Sequence, residues 1–164
     1  MKDNNKGFSY VELILVLAIM SIMIGMIGLS IGLVTRNNVT KAAAKMESAF
    51  NTARITSLSK GSEQGAINIM QENGAVYYCI GKFDPEDPNC PEWKKIAQSP
   101  VRITMANGSD HYDLADGSIL VYKYNPSSGA FKTDTFPYSQ IIFTNGSKES
   151  SLILYKTTGK CKVQ

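Results

Sequence analysis

Histidine and tryptophan each occur once in the 164-residue chain, as His111 and Trp93, and cysteine occurs three times. No Cys-x-x-Cys or His-x-x-x-His spacing is present. That leaves little material for a metal centre, or for a nucleophile served by an imidazole base. Catalysis would fall to Asp, Glu, Lys and Tyr alone, and the reading is a noncatalytic chain that needs no cofactor or metal. Charge is also scarce, at 19% of residues with a formal net charge of +3. Such a balance is too weak for a protein that coats nucleic acid wholesale, so any contact of that kind has to be local. From Leu13 to Val34 the scarcity becomes complete: 22 residues pass without Asp, Glu, Lys, Arg, His, Asn, Gln or Pro.

As a helix rising ~1.5 Å per residue, that run is roughly 33 Å long, enough for the ~30 Å hydrocarbon core of a bilayer. A secretory signal peptide has a shorter apolar core, of about 7 to 15 residues, and a small-residue cleavage site after it. This segment is built to stay. Lys2 and Lys6 precede it, and Arg36, Lys41 and Lys45 follow, so counting positive charges does not settle its orientation. Glu12 lies at the edge of the apolar run. A carboxylate there costs somewhat less than the ~2.5–3.5 kcal/mol of the membrane centre, and it calls for a partner.

The short basic leader ending in Lys6-Gly7, with Phe8 next and Glu12 at the fifth position from it, resembles the class III leader of type IV pilins and pseudopilins. The resemblance implies cutting after Gly7 by the prepilin peptidase on the cytoplasmic side, N-methylation of the new terminal Phe8, and an assembly role for Glu12. Ser9 and Tyr10 replace the usual threonine and a frequent aliphatic residue, without touching those positions. A carboxylate on one helix is a natural partner for the α-amine of its neighbour in an apolar bundle. Glu12 bonding to the N-terminus of its own chain is the alternative.

Beyond Val34 the apolar positions thin to a stripe, Val39, Ala43, Met46, Phe50 and Ala53, with Arg36, Lys41, Lys45, Glu47, Asn51 and Arg54 on other faces. That spacing predicts an amphipathic helix. Phe8 to Lys60 then reads as one helix of about 52 residues, roughly 80 Å long. Gly25, Gly28 and Gly32 permit close helix approach, and they are also weak points where the helix could melt. Gly61 to Gly65 ends it, and strands follow around Asn73-Gly74, Asn107-Gly108 and Asn145-Gly146, dipeptides that favour hairpins. The reading pairs Ala66–Gln71 with Ala75–Lys82 and Tyr138–Thr144 with Ser151–Thr157. Val101 to Met105 and Ile119 to Tyr124 are further strands, and Asp84 to Pro91 is a surface loop.

The expected fold class is therefore α+β: a long N-terminal α-helix, transmembrane half plus amphipathic half, packed on a C-terminal antiparallel β domain. Its parts are a leader (1–7), a transmembrane or filament-core helix (8–34), the amphipathic half (35–60) and an exported β-rich domain (61–164). The helix exit and the ending Leu152 to Val163 are similar to H-type minor pseudopilins of type II secretion and to related minor pilins. The resemblance implies a single-pass protein of the cytoplasmic membrane, its N-terminus cytoplasmic and its C-terminal domain outside, which enters a filament with other pilin-like subunits. A membrane-tethered binding domain is the rival.

Three smaller expectations attach to the domain. Cys79 and Cys90 are the disulfide candidates, because an 11-residue separation containing Pro85 and Pro88 would gain roughly 3 kcal/mol from the crosslink. Cys161 is then the buried odd thiol, and Cys90 with Cys161 is the competing pairing. Asp110, Asp113 and Asp116 form an acidic cluster without the alternate-position spacing of a calcium loop, so a solvated loop is the reading there. Lys160 and Lys162 share one side of a terminal strand. They serve either as a phosphate-contacting ridge for nucleic acid or as edge lysines that block unwanted sheet pairing. The segment Gly159-Lys160-Cys161-Lys162 resembles the Gly-Arg-x-Arg ending of DNA-uptake minor pilins, although lysine lacks the guanidinium's fork.

The leader generates a direct test. Mass spectrometry of the membrane-extracted protein, from a host with an active prepilin peptidase, is expected to show a chain beginning at Phe8. Loss of Lys2, Lys6 and Asp3 then takes the formal charge from +3 to +2, and retention of Met1 contradicts the processing.

Overall fold

A computed structural model of the chain describes residues 9–84, 92–97 and 101–164, with backbone alone at 25–37. Helical backbone spans Tyr10–Lys60 (α1), and its side chains are described in two stretches, 10–24 and 38–60. The chain divides into two compact units, Met1–Thr35 and Arg36–Gln164. The expectation of one long N-terminal helix packed on an antiparallel β domain is thereby corrected. Only the second stretch belongs to the unit that holds the strands, and those strands form two sheets. Among the described residues no helix is long and apolar enough to cross a membrane. Positions 25–34 of the expected span contribute no described side chains, so that expectation falls partly outside the described residues. Gly25, Gly28 and Gly32 lie among them.

Within the second unit, Val39, Ala42, Ala43, Met46, Ala49, Phe50 and Ala53 are all buried. Steps of three and four residues keep them on one face, and four alanines let the helix axis lie close to the strands. Gly61 stops the helix, with φ +99° and its N–H donating to the Ser57 carbonyl at 2.9 Å. Glycine takes that left-handed position without a Cβ penalty.

Among the described residues nine strands follow: β1 (Ile67–Glu72), β2 (Ala75–Ile80), β3 (Lys94–Ala97), β4 (Arg102–Asn107), β5 (Asp110–Asp113), β6 (Ile119–Tyr122), β7 (Gln140–Thr144), β8 (Glu149–Tyr155) and β9 (Lys160–Val163). One sheet has the order β3-β2-β1-β6 and the other β5-β4-β7-β8-β9. Every pairing is antiparallel. Asn73 and Gly74, both at positive φ, join β1 to β2 in the turn geometry that matches strand twist. Asn107-Gly108 also begins a hairpin, between β4 and β5. The sheets meet where Gln71 of β1 accepts the Ile103 N–H of β4 through its side-chain oxygen, at 3.0 Å.

The helix is fastened through aromatic rings. Phe50 makes edge contacts with Tyr122 and Phe131 at centroid distances of 5.4 and 6.0 Å. Tyr124 stacks on Phe131 at 4.5 Å and donates its hydroxyl proton to the Phe50 carbonyl at 3.0 Å. Both tyrosines are fully buried, and burial pushes both phenol pKa values well above the ordinary range. Of the other strand tyrosines, Tyr77 and Tyr78 are half-buried and Tyr155 is exposed. Tyr155 falls on the solvent side of β8, where alternation puts it.

Phe50→Ala is expected to destabilise the Arg36–Gln164 unit by about 3–5 kcal/mol, because it opens a cavity beside the Tyr122 and Phe131 rings. Urea unfolding followed by near-ultraviolet circular dichroism of the tyrosines measures it. A loss under about 1 kcal/mol would show that the ring cluster does not anchor the helix.

Candidate functional site

The residues expected to carry function sit in two places, the head of the helix and the last strand. At the head, the Ser9 N–H donates to the Glu12 carboxylate at 2.9 Å. The Glu12 N–H donates back to the Ser9 hydroxyl at 3.3 Å. This reciprocal pair is a capping box, which satisfies two of the backbone donors that a helix start leaves open. A carboxylate in the first turn also suits the positive end of the helix dipole. The sequence reading missed the cap, although Ser9-Tyr10-Val11-Glu12 spells its Ser-x-x-Glu signature immediately before an apolar run. Gly7 and Phe8, the expected cleavage and methylation positions, lie outside the described residues.

After the cap the helix turns no polar stripe to water. Every residue from Tyr10 to Ile24 is exposed, among them Val11 at 75%, Leu15 at 60% and Ile24 at 70%. Ser21 donates its hydroxyl proton back to the Leu17 carbonyl at 2.8 Å, so even that polar group is satisfied along the helix. A helix that is apolar all round belongs inside something.

On the domain, Lys160 and Lys162 are exposed on β9, an edge strand of the five-stranded sheet. Between them Cys161 points the other way and is half-buried. Its thiol donates toward the Glu47 carbonyl at 3.7 Å and toward the Asn51 side-chain oxygen at 3.9 Å. Burial pushes its pKa up to about 12, and nearby Glu47 adds to the rise. Cys161 is a free thiol and less buried than expected; its competing pairing with Cys90 involves a residue outside the described ones. Lys156, a sequence neighbour of that ridge, instead lies over the Phe136 ring at 5.8 Å. Cys79 is buried in β2, and the Asn68 side-chain amide donates to its sulfur at 3.4 Å. Cys90 lies outside the described residues, and the expected bridge with it.

The acidic cluster is dispersed into structural duties. Asp113 accepts the Thr104 hydroxyl at 2.7 Å, and Asp116 accepts the Asn73 N–H at 3.1 Å. Both line a cleft of about 330 Å³ at the joint of the two sheets, with Gln71 and Arg102. Among the described residues no three acidic, histidine or cysteine side chains converge as metal ligands would. No known family, no characterised protein and no solved structure matches this chain.

The Cys161 environment generates a prediction whose sign follows from its raised pKa. The folded chain holds the proton up to about pH 12, while the unfolded chain gives it up near the ordinary thiol value of 9.0. Ionisation therefore favours unfolding as pH rises between those values. At pH 8.5 iodoacetamide should label Cys161 at least about tenfold more slowly in the folded than in the urea-unfolded chain, read by peptide mass spectrometry. Equal rates would place the thiol in water.

Proposed function

We propose that the chain is a noncatalytic minor pilin or pseudopilin, processed after Gly7 and assembled with other pilin-like subunits into a type II secretion pseudopilus or a type IV pilus-like filament. The observation that supports this reading most is the capped apolar stretch of Tyr10 to Ile24, exposed on all sides and headed by a carboxylate. At roughly 25 cal/mol per Å² of apolar surface, leaving so many large side chains in water is unfavourable by many kcal/mol. Lipid before assembly and neighbouring helices after it are the natural cover. Before assembly the protein is held in the cytoplasmic membrane, its N-terminus cytoplasmic and its β-rich unit outside.

Glu12 has two jobs in this proposal. One carboxylate oxygen caps its own helix through Ser9. Once the peptidase exposes the Phe8 amine, the carboxylate is available to the ammonium of a neighbouring subunit. In a medium of low dielectric that ion pair fixes the helix register, because an unpaired charge there is strongly disfavoured. The rival, a membrane-tethered extracytoplasmic binding domain that contacts DNA in competence, draws on the exposed Lys160 and Lys162. Two isolated ammonium groups on one edge strand are a weak footprint for phosphate.

Two substitutions separate the roles of Glu12. Glu12→Gln keeps the geometry of the cap, since glutamine serves equally at that position, but removes the charge. Glu12→Ala removes both. Filament incorporation, measured as the fraction of full-length protein in sheared filament preparations, is expected to fall at least about tenfold in both variants, the loss of roughly 1.4 kcal/mol or more. Normal incorporation of the glutamine variant would confine Glu12 to capping, and normal incorporation of both would remove it from assembly.

A further inference from the structure

The five-stranded sheet ends in two open edges of different chemistry, and their geometry fits one to the other. β5, Asp110–Asp113, is exposed along its whole length. β9 carries Lys160 and Lys162 outward and half-buried Cys161 and Val163 on the opposite face. Among the described residues no strand pairs with the far side of either. Four antiparallel steps separate them in the order β5-β4-β7-β8-β9, so β5 and β9 run in the same direction. Two copies in the same orientation, side by side, therefore bring these edges together as a parallel pair.

The hydrogen-bonding phase agrees. Ser151 and Gln164 exchange both backbone bonds across β8 and β9, so the alternation turns the N–H and C=O groups of Cys161 and Val163 outward. On the other edge, Leu114 donates inward to the Ile103 carbonyl, which leaves those of His111 and Asp113 pointing outward. The register chain His111–Ala106–Gln140–Ile153–Lys162 places His111 on the same sheet face as Lys162, and period-two alternation adds Asp113 and Lys160 to that face. In a parallel pair, facing residues share a face while only one of the two turns its backbone groups to the partner. Asp113 opposite Lys162 meets both conditions. The Asp113 N–H would then donate to the Cys161 carbonyl of the other copy, and the Val163 N–H would donate to the Asp113 carbonyl. On the opposite face Tyr112, half exposed at 50%, falls beside Cys161. Of the other face-matched registers, Asp113 against Gln164 leaves both lysines without an acid, and Asp113 against Lys160 overlaps β5 (Asp110–Asp113) and β9 (Lys160–Val163) by a single residue.

The geometry points to edge-to-edge pairing of β9 in one copy of this chain with β5 in the next, Lys162 against Asp113. Like charges oppose β9 with β9 and β5 with β5, so closed two-fold pairs are disfavoured and the head-to-tail contact remains. The edge lysines that prevent indiscriminate pairing thus admit one acidic partner. The inference rests on the filament-subunit reading, with at least two copies of this chain as neighbours in a common orientation.

Zero-length carbodiimide crosslinking of the full-length protein in its own membranes tests it. Within one copy the two edges are four strand spacings apart, about 19 Å, so an amide between Asp113 and Lys162 can form only between copies. The expected result is a dimer band that contains this crosslinked peptide. Asp113→Lys alone and the Lys160→Glu, Lys162→Glu pair each remove one reacting group and abolish this peptide, so the deciding variant combines all three changes, where the amide between the same two positions is expected to return with its polarity reversed. Dimers without that peptide, or no 113–162 amide in the combined variant, would overturn the pairing while processing after Gly7 leaves the filament reading standing. A chain that keeps its leader and gives no crosslinked species overturns both.

Discussion

An apolar helical surface has to leave water, and the two described halves of the helix meet that demand in different ways. From Asn38 onward one face is apolar, and the sheets cover it completely, from Val39 to Ala53. From Tyr10 to Ile24 every face is apolar and every residue is exposed. In the proposed reading the cover for this stretch is lipid or other helices. The proposed function follows from that asymmetry: a domain complete in itself, carrying an element that is not.

Glu12 links the helix start to that proposal. Its carboxylate has a local partner in Ser9, so the unassembled chain does not carry an unsatisfied acid at the head of an apolar helix. In sequence Glu12 stands four residues after Phe8, the expected new terminus. A cap that serves the isolated helix and a charge that serves the bundle are compatible, since a carboxylate has two oxygens and several acceptor sites.

Much of the domain could be read from local pattern. Val39, Ala43, Met46, Phe50 and Ala53 stand at helical spacing, and all five are buried; Asn73-Gly74 and Asn107-Gly108 mark turns that the chain makes. The failures have a common cause in long-range pairing. Asp110–Asp113 has no apolar alternation, and it is a strand only because a tight hairpin lays it on β4. Lys94–Ala97 begins with two exposed lysines and is held by β2. The division into two sheets depends on β1 pairing with β6 rather than with β4, a choice between distant partners that periodicity does not encode. The long helix packed on the domain was over-read because helical spacing shows where a helix continues but not which part of it finds a surface. At the candidate site the capping signature was in plain view, and the more specific leader resemblance drew the reading of Glu12 away from it. The outward lysines of β9 were legible from alternation, but their relation to Asp113 needed the strand order.

The central claim, that Tyr10 to Ile24 is covered by other helices of the same kind, is tested most directly by a photo-crosslinking side chain at Leu17 of the full-length protein in its native host. The account predicts a protein adduct whose mapped peptide lies in the apolar N-terminal segment of another subunit, one that also begins just after a basic, glycine-ended leader. Adducts to lipid alone, in cells where the chain has been cut after Gly7 and filaments are present, would contradict it.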